Sequence, residues 1–141
     1  MNEITRARLM ADLKQDEGKR AQPYLDTLGH WTVGYGHNLE ARPLSDAAMQ
    51  QILEDDMAGA EADCRRLPWF DGLDDVRQAV IVNMAFNLGL AGLAGFRKMI
   101  AALIEGRYAE AAAEMLDSRY ARQVGARAKR LAEMMRTGGW P

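Results

Sequence analysis

The chain has 141 residues, which fits one domain long enough to bury a hydrophobic core. It is 48% hydrophobic and 27% charged, and its formal net charge of −2 argues against a strongly basic nucleic-acid binder. The single cysteine, Cys64, excludes an internal disulfide framework. The most apolar run, residues 79–86, is too short to span a bilayer, and residues 1–6 lack the apolar core of a signal peptide.

The N-terminal part of the sequence predicts one helix followed by a hairpin. Residues 3–16 carry apolar side chains at helical spacing, with charged residues between them. From Trp31 to Tyr35, large apolar residues alternate with small ones, which is the period of a strand. A turn at residues 28–29 makes residues 22–26 the partner strand. The glycines on this strand indicate that another group approaches its backbone closely.

The rest of the chain predicts helices separated by proline and glycine breaks. Ser45 is a good N-cap for a long acidic helix over residues 46–66. Asp74 is placed to cap a helix over residues 75–88, which is apolar nearly all round, as a buried central helix is. Shorter helices are predicted over residues 96–105, 108–117 and 126–136.

These elements predict a single domain of the α+β class that is mostly helical. We expect a small hairpin lobe at about residues 18–44, set on a helical body made of residues 1–17 and 45–141. Charge is uneven along the body, because residues 46–75 are strongly acidic and residues 118–141 are strongly basic. The basic segment is either a solvated helix face or a surface that attracts an anionic polymer.

Two carboxylates near the hairpin are candidates for catalysis. Glu17 ends the first predicted helix, Asp26 follows nine positions later near the hairpin turn, and Thr32 lies on the returning strand. Glycoside hydrolysis needs one carboxyl group that stays protonated and donates to the leaving oxygen, and a second that stays ionised. Different environments can separate the two pKa values in this way. Spacing alone does not distinguish this pair from the many Glu/Asp pairs of an acidic chain, and two ordinary surface charges are the alternative.

The full pattern of the N-terminal segment is more specific than the two carboxylates. It runs Leu13-x-x-x-Glu17-Gly18, then Tyr24-x-Asp26-Thr27-x-Gly29, then Thr32-x-Gly34-x-Gly36-His37. This pattern resembles phage-type lysozymes, the endolysins of glycoside hydrolase family 24, in which a catalytic Glu, a catalytic Asp and an active-site Thr have the same spacing. Five later segments resemble the C-terminal lobe of the T-even members: residues 83–89, 94–96, 118–120, 127–130 and 136–140.

The resemblance implies a role for several residues. Glu17 corresponds to the general acid, Asp26 to the second carboxylate, and Thr32 to the hydroxyl beside the attacking water. Phe86 corresponds to a substrate-contacting position, and Arg127 to an arginine that faces the catalytic glutamate.

The resemblance also implies supporting contacts, and the chain departs from it in places. His37 corresponds to a histidine paired with an aspartate on the next helix, here Asp56 or, as the alternative, Asp55. Other expected substrate-binding positions carry different side chains from the T-even members, namely Asn38, Met99 and Glu114. The segment between His37 and Ser45 is also shorter, so a smaller hairpin lobe is expected.

The function implied by the resemblance is a muramidase. It hydrolyses the β-1,4 bond between N-acetylmuramic acid and N-acetylglucosamine in bacterial peptidoglycan, for host cell lysis. A lytic transglycosylase acting on the same bond is one alternative, although an intact Asp26 and Thr32 favour hydrolysis. A non-enzymatic, membrane-active basic module is the other.

Expectations about partners and location follow from the same resemblance. The expected partner is the glycan strand of peptidoglycan, with no nucleic acid, no cofactor and no metal. His30 and His37 lack the tight cluster of ligands that a metal site requires. We expect a monomer that stays in the host bacterial cytoplasm until a separate holin releases it to the cell wall. A virion-associated role is the alternative.

Overall fold

The computed structural model describes all 141 residues, and their internal contacts divide them into two compact units, Met1–Gln50 and Gln51–Pro141. The first unit holds helix α1 and a small antiparallel sheet, and the second is helical throughout. The predicted α+β, mostly helical class is therefore confirmed. Helix α1 groups with the sheet, whereas the sequence analysis assigned residues 1–17 to the helical body. The single-domain arrangement stays a prediction.

Helix α1 spans Glu3–Glu17, close to the predicted range. The Asn2 side chain caps its first turn by accepting a hydrogen bond from Thr5 N at 2.8 Å. At the other end Gly18 donates its N–H to the carbonyl of Lys14. No residue of α1 is buried.

Three short strands form the sheet, in the order β1 (Arg20–Leu25), β2 (Trp31–Gly34) and β3 (His37–Asn38). The predicted hairpin is confirmed, with Tyr24 opposite Thr32. The third strand was not predicted, because the alternating pattern predicts one continuous strand to Tyr35. The strand ends instead at Gly34, and a turn brings His37 back opposite Val33. This turn needs glycine, since residues 34 and 36 have φ values of +69° and +67°.

The predicted helices after the sheet are all present. Ser45 caps α2 by accepting from Ala48 N at 3.1 Å, and Asp74 caps α3 by accepting from Arg77 N at 3.1 Å. The helices are α2 (Asp46–Arg65), α3 (Asp75–Ala94), α4 (Arg97–Ile104), α5 (Tyr108–Leu116), α6 (Arg119–Val124) and α7 (Ala126–Thr137). A non-helical Gly89 interrupts α3 next to the predicted end.

Helix α6 and a 3-10 helix at Phe70–Gly72 were not predicted. Both are too short to show a helical period. The signal for α6 was its N-cap, because the Ser118 side chain accepts a hydrogen bond from Ala121 N.

The hydrophobic core lies in the second unit, around α3 and α7. By length and apolar composition alone, α3 would also pass for a membrane-spanning helix. Its Val80, Ile81 and Met84 are fully buried, which is the position of a core helix. Helix α7 packs against α3, α5 and α6, and contributes the buried Leu131 and Met135.

Arg77 ties the start of α3 to the end of α7. Its Nε donates to the carbonyl of Met135 at 2.8 Å, and its Nη2 donates to that of Arg136 at 3.1 Å. These carbonyls belong to the last turn of a helix, where they lack helical partners. The guanidinium also lies 3.6 Å from the centre of the Tyr108 ring on α5. One side chain thus joins three helices of the second unit.

Candidate active site

Asp26 closes the turn between β1 and β2. Its Oδ1 accepts hydrogen bonds from His30 N at 2.8 Å and Leu28 N at 2.9 Å. The bond from His30 N is the main cause of a lowered pKa for this carboxyl group, the bond from Leu28 N lowers the pKa further, and partial burial opposes the shift. The other oxygen, Oδ2, accepts no hydrogen bond from the chain. Asp26 is therefore a fixed, ionised carboxylate with one free oxygen.

Thr32 lies in the middle of the sheet, with Tyr24 on one side and Asn38 on the other. It is the one buried polar residue of the chain, at 3% exposure. Its hydroxyl donates to the carbonyl oxygen of His30 at 2.9 Å, which satisfies the buried donor. Asp26 and Thr32 therefore bind the N–H and the C=O of the same residue, His30.

His30 also carries an ion pair that the sequence analysis missed. Its Nδ1 lies 2.6 Å from Oε2 of Glu40, ten positions later in the chain. The hydrogen bond that His30 donates to the Glu40 carboxylate is the main cause of a raised pKa for His30. The pair fastens the hairpin turn to the segment that follows β3. The contact thus joins the turn between β1 and β2 to the residues just after β3.

Glu17, the predicted general acid, is the last residue of α1. Its carboxyl group lies against the backbone of Gly36, in the turn between β2 and β3. A Cβ atom on Gly36 would be only 2.5 Å from Oε2 of Glu17. The end of the helix and this turn therefore meet at the candidate acid.

Two residues with predicted roles, Asn38 and His37, lie on β3. The Oδ1 atom of Asn38 accepts from Glu40 N and Ala41 N, both at 3.0 Å. Only the amide Nδ2 of Asn38 is therefore left for the predicted contact with a sugar. His37 has a buried Nε2 without a hydrogen-bond partner.

The predicted partner of His37 lies on the second unit, so the pairing stays a prediction. Of the two alternatives, Asp55 already accepts a hydrogen bond from Gln51 Nε2 at 3.0 Å. Asp56 has no hydrogen bond with a neighbour on its own helix.

In the second unit Arg127 is held by Asn83. Its Nε and Nη2 donate to Oδ1 of Asn83 at 3.0 and 2.7 Å, and Nη2 also donates to the carbonyl of Asn83 at 3.1 Å. Both residues line a groove of about 850 Å³ together with Phe86 and Trp140. Phe86 is 45% exposed, so its ring is available to a ligand. Asn83 is thus a hydrogen-bonded polar group on the central helix α3.

The other two predicted sugar contacts lie elsewhere on this unit. Met99 and Glu114 line a second groove of about 770 Å³, together with the basic residues Arg97 and Arg119. Met99 is only 1% exposed and belongs to the core, so little of its side chain faces a ligand. Glu114 is half-buried. Their roles in substrate binding stay predictions.

Comparison with known proteins identifies the family. The profile of the phage lysozyme family matches residues 14–136, a range that includes Glu17, Asp26, Thr32 and Arg127. The chain belongs to the phage lysozyme family. It is therefore a lysozyme-like glycoside hydrolase that acts on peptidoglycan, as the sequence motifs indicated.

The individual relatives of this phage lysozyme family member are distant. It is 28% identical over 155 residues to the pre-baseplate central spike protein Gp5 of Enterobacteria phage T4, covering 89% of this chain but 27% of the spike protein. It is 26% identical over 156 residues to each of the probable T4-type lysozymes 1 and 2 of Dictyostelium discoideum, covering 89% of this chain and 92% of each relative. The chain thus spans about a quarter of one relative and nearly all of the other two.

Proposed function

We propose that this lysozyme hydrolyses the β-1,4 bond between N-acetylmuramic acid and N-acetylglucosamine. Glu17 acts as general acid, while Asp26 and Thr32 hold the attacking water. The observation that carries this proposal is the shared anchor of Asp26 and Thr32 on His30. A carboxylate and a hydroxyl tied to one peptide segment have little freedom to move apart.

The hydrogen bonds of the turn leave acceptors for one water molecule. The proton of the Thr32 hydroxyl is used by His30 O, so its oxygen can accept from a water. Asp26 offers its free Oδ2 and stays ionised because its pKa is lowered. A water that donates to both oxygens keeps a lone pair for the anomeric carbon.

The reaction then needs one bond formed and one bond broken. The water oxygen bonds to the anomeric carbon as Asp26 takes a proton from that water. The bond to the leaving oxygen breaks as Glu17 donates its proton to that oxygen. Exchange with solvent returns both carboxyl groups to their starting states.

This arrangement of groups favours inversion at the anomeric carbon. Inverting glycosidases hold a water between the second carboxylate and the sugar, whereas retaining enzymes use that carboxylate as a nucleophile. A carboxylate paired with a hydroxyl suits the first role, since the hydroxyl has no task in a covalent mechanism. A lytic transglycosylase would have no use for either group.

The proposal also covers substrate contacts, oligomeric state and location in the cell. The glycan strand contacts Phe86 near Arg127, and the remaining predicted positions, Asn38, Met99 and Glu114, adjust its fit. The protein acts as a monomer and reaches the cell wall from the host cytoplasm through a holin. The exposed phenyl ring beside a held arginine in the larger groove supports the first of these statements.

The deciding experiment compares Glu17→Gln with Asp16→Asn on isolated peptidoglycan. Both variants replace a carboxylate near the end of α1 by an amide, but only the first removes the proposed acid. We expect Glu17→Gln to lose about 10²–10⁴-fold in turnover and Asp16→Asn to keep wild-type turnover. Wild-type turnover by Glu17→Gln would remove the assignment, and lysis of cells by that variant would favour a membrane-active module.

The products test the mechanism itself. Proton NMR during early hydrolysis should show the α-anomer as the first product, and mass spectrometry should show reducing ends. A first product with the β-anomer would contradict the role of Asp26 and Thr32. Anhydro ends would place the protein among transglycosylases.

A further inference from the structure

We propose that Gly36 is a positioning residue for Glu17. The absence of a side chain at this position sets where the Glu17 carboxyl group rests. The inference rests on the proposed function, since it takes Glu17 as the general acid, and it adds a residue whose role the motif alone does not give.

The contact between the two residues is close along the whole end of the glutamate side chain. A Cβ atom on Gly36 would lie 2.5 Å from Oε2, 2.9 Å from Cδ and 3.3 Å from Cγ of Glu17. Carbon atoms in contact are ordinarily about 3.5–4.0 Å apart. Three successive atoms of Glu17 would therefore have to move if residue 36 had a side chain.

Gly34 provides a matched comparison within the same turn. Its φ of +69° is nearly the same as the +67° of Gly36, so both positions disfavour a residue with a side chain. A Cβ atom on Gly34, however, would meet nothing within 4 Å. Backbone conformation explains a glycine at both positions, and only Gly36 has the second reason of contact with Glu17.

We expect Gly36→Ala to lose turnover without losing more stability than Gly34→Ala. Glu17 is exposed, and its flexible side chain can rotate away from a methyl group at position 36. The fold then survives, but the acid no longer points as it did. A misplacement of about 1 Å in a catalytic group can reduce the rate about 10²-fold.

The experiment measures kcat, KM and the urea midpoint of Gly36→Ala and Gly34→Ala on the same peptidoglycan substrate. Both variants should lower the midpoint by the same amount, because both place a side chain at positive φ. Only Gly36→Ala should lose about 10²-fold in kcat, with KM unchanged. Equal losses of kcat in the two variants would overturn the proposal.

A second pair of variants distinguishes a displaced Glu17 from a methyl group that blocks substrate binding. Binding of Glu17→Gln and of Glu17→Gln/Gly36→Ala to peptidoglycan should be the same if the added methyl group acts only on Glu17. Weaker binding of the double variant would show that the methyl group blocks substrate, and would overturn the proposal. If alanine prevents folding, Gly36→Asn and Gly34→Asn replace the pair, since asparagine tolerates positive φ better.

A crystal structure of Gly36→Ala keeps this proposal separate from the proposed function. The Glu17 carboxyl group should be displaced by about 1 Å or more from its place beside residue 36. An undisplaced carboxyl group would overturn the positioning role. Wild-type turnover by Glu17→Gln together with a displaced carboxyl group would instead overturn only the catalytic assignment.

Discussion

The pairing of Asn83 with Arg127 allows a quantitative test of how the groove arginine is held. Asn83→Ala removes the Oδ1 atom that accepts from both Nε and Nη2, and leaves the bond from Nη2 to the carbonyl of residue 83. A hydrogen bond to a charged group contributes about 1.5–3 kcal/mol. Because the two bonds share one acceptor in a half-buried site, we expect a coupling energy of about 1.5–3 kcal/mol in total.

A double-mutant cycle measures this coupling energy directly. The free energy of unfolding is determined in urea for the wild type, Asn83→Ala, Arg127→Ala and the double variant. Arg130 lies on the same helix and lines the same groove but makes no hydrogen bond to Asn83, so a cycle with Arg130→Ala is the matched control. We expect no coupling there. A coupling below about 0.5 kcal/mol between Asn83 and Arg127 would refute the reasoning.

Three further predictions concern single contacts. Asp26→Asn keeps an oxygen that can accept the turn hydrogen bonds, so it should fold normally yet lose about 10²-fold or more in peptidoglycan hydrolysis; wild-type turnover would contradict this. The raised pKa of His30 means that its pair with Glu40 stabilises fully below the unfolded value of about 6.5 and loses its effect as pH rises through the folded value. Glu40→Gln should therefore lower the free energy of unfolding at pH 5 but not at pH 9, and equal losses would argue against the pair. Arg77→Met removes two hydrogen bonds to helix carbonyls and a contact with the Tyr108 ring, from a side chain that is 12% exposed. We expect a loss of about 3–5 kcal/mol in urea unfolding, and an unchanged midpoint would contradict it.

Local features of the sequence determined much of the first unit. The end of α1, the turn at Asp26 and the strand that carries Thr32 lie within sixteen positions, so hairpin register and helix caps are enough to bring them into one unit. The pairing of Tyr24 with Thr32 follows from the turn between the strands. The spacing of the motif therefore predicted the candidate catalytic residues without any long-range information.

The glycine-rich sequence predicted a close approach to the strand, but not that Glu17 makes it. The sequence indicated that some group approaches the glycine-rich strand closely, and the structure shows that this group is the carboxyl of Glu17 against Gly36. Which of the glycines receives it depends on where the strand ends. The end of β2 was hidden because the next strand, His37–Asn38, has only two residues. Two residues are too few to show an alternating pattern of their own.

Only the tertiary structure decided the contacts that join distant helices. Asn83 and Arg127 are 44 positions apart, and Arg77 reaches the carbonyl of Met135 across 58 positions. Periodicity shows which face of a helix is apolar, but it does not show which other helix covers that face or which polar groups then meet. Met99 and Phe86 were both predicted to contact substrate, but helix packing buried Met99 in the core and left only Phe86 exposed to a ligand. A residue's burial is set by the neighbours that pack around it, and those neighbours are distant in the sequence.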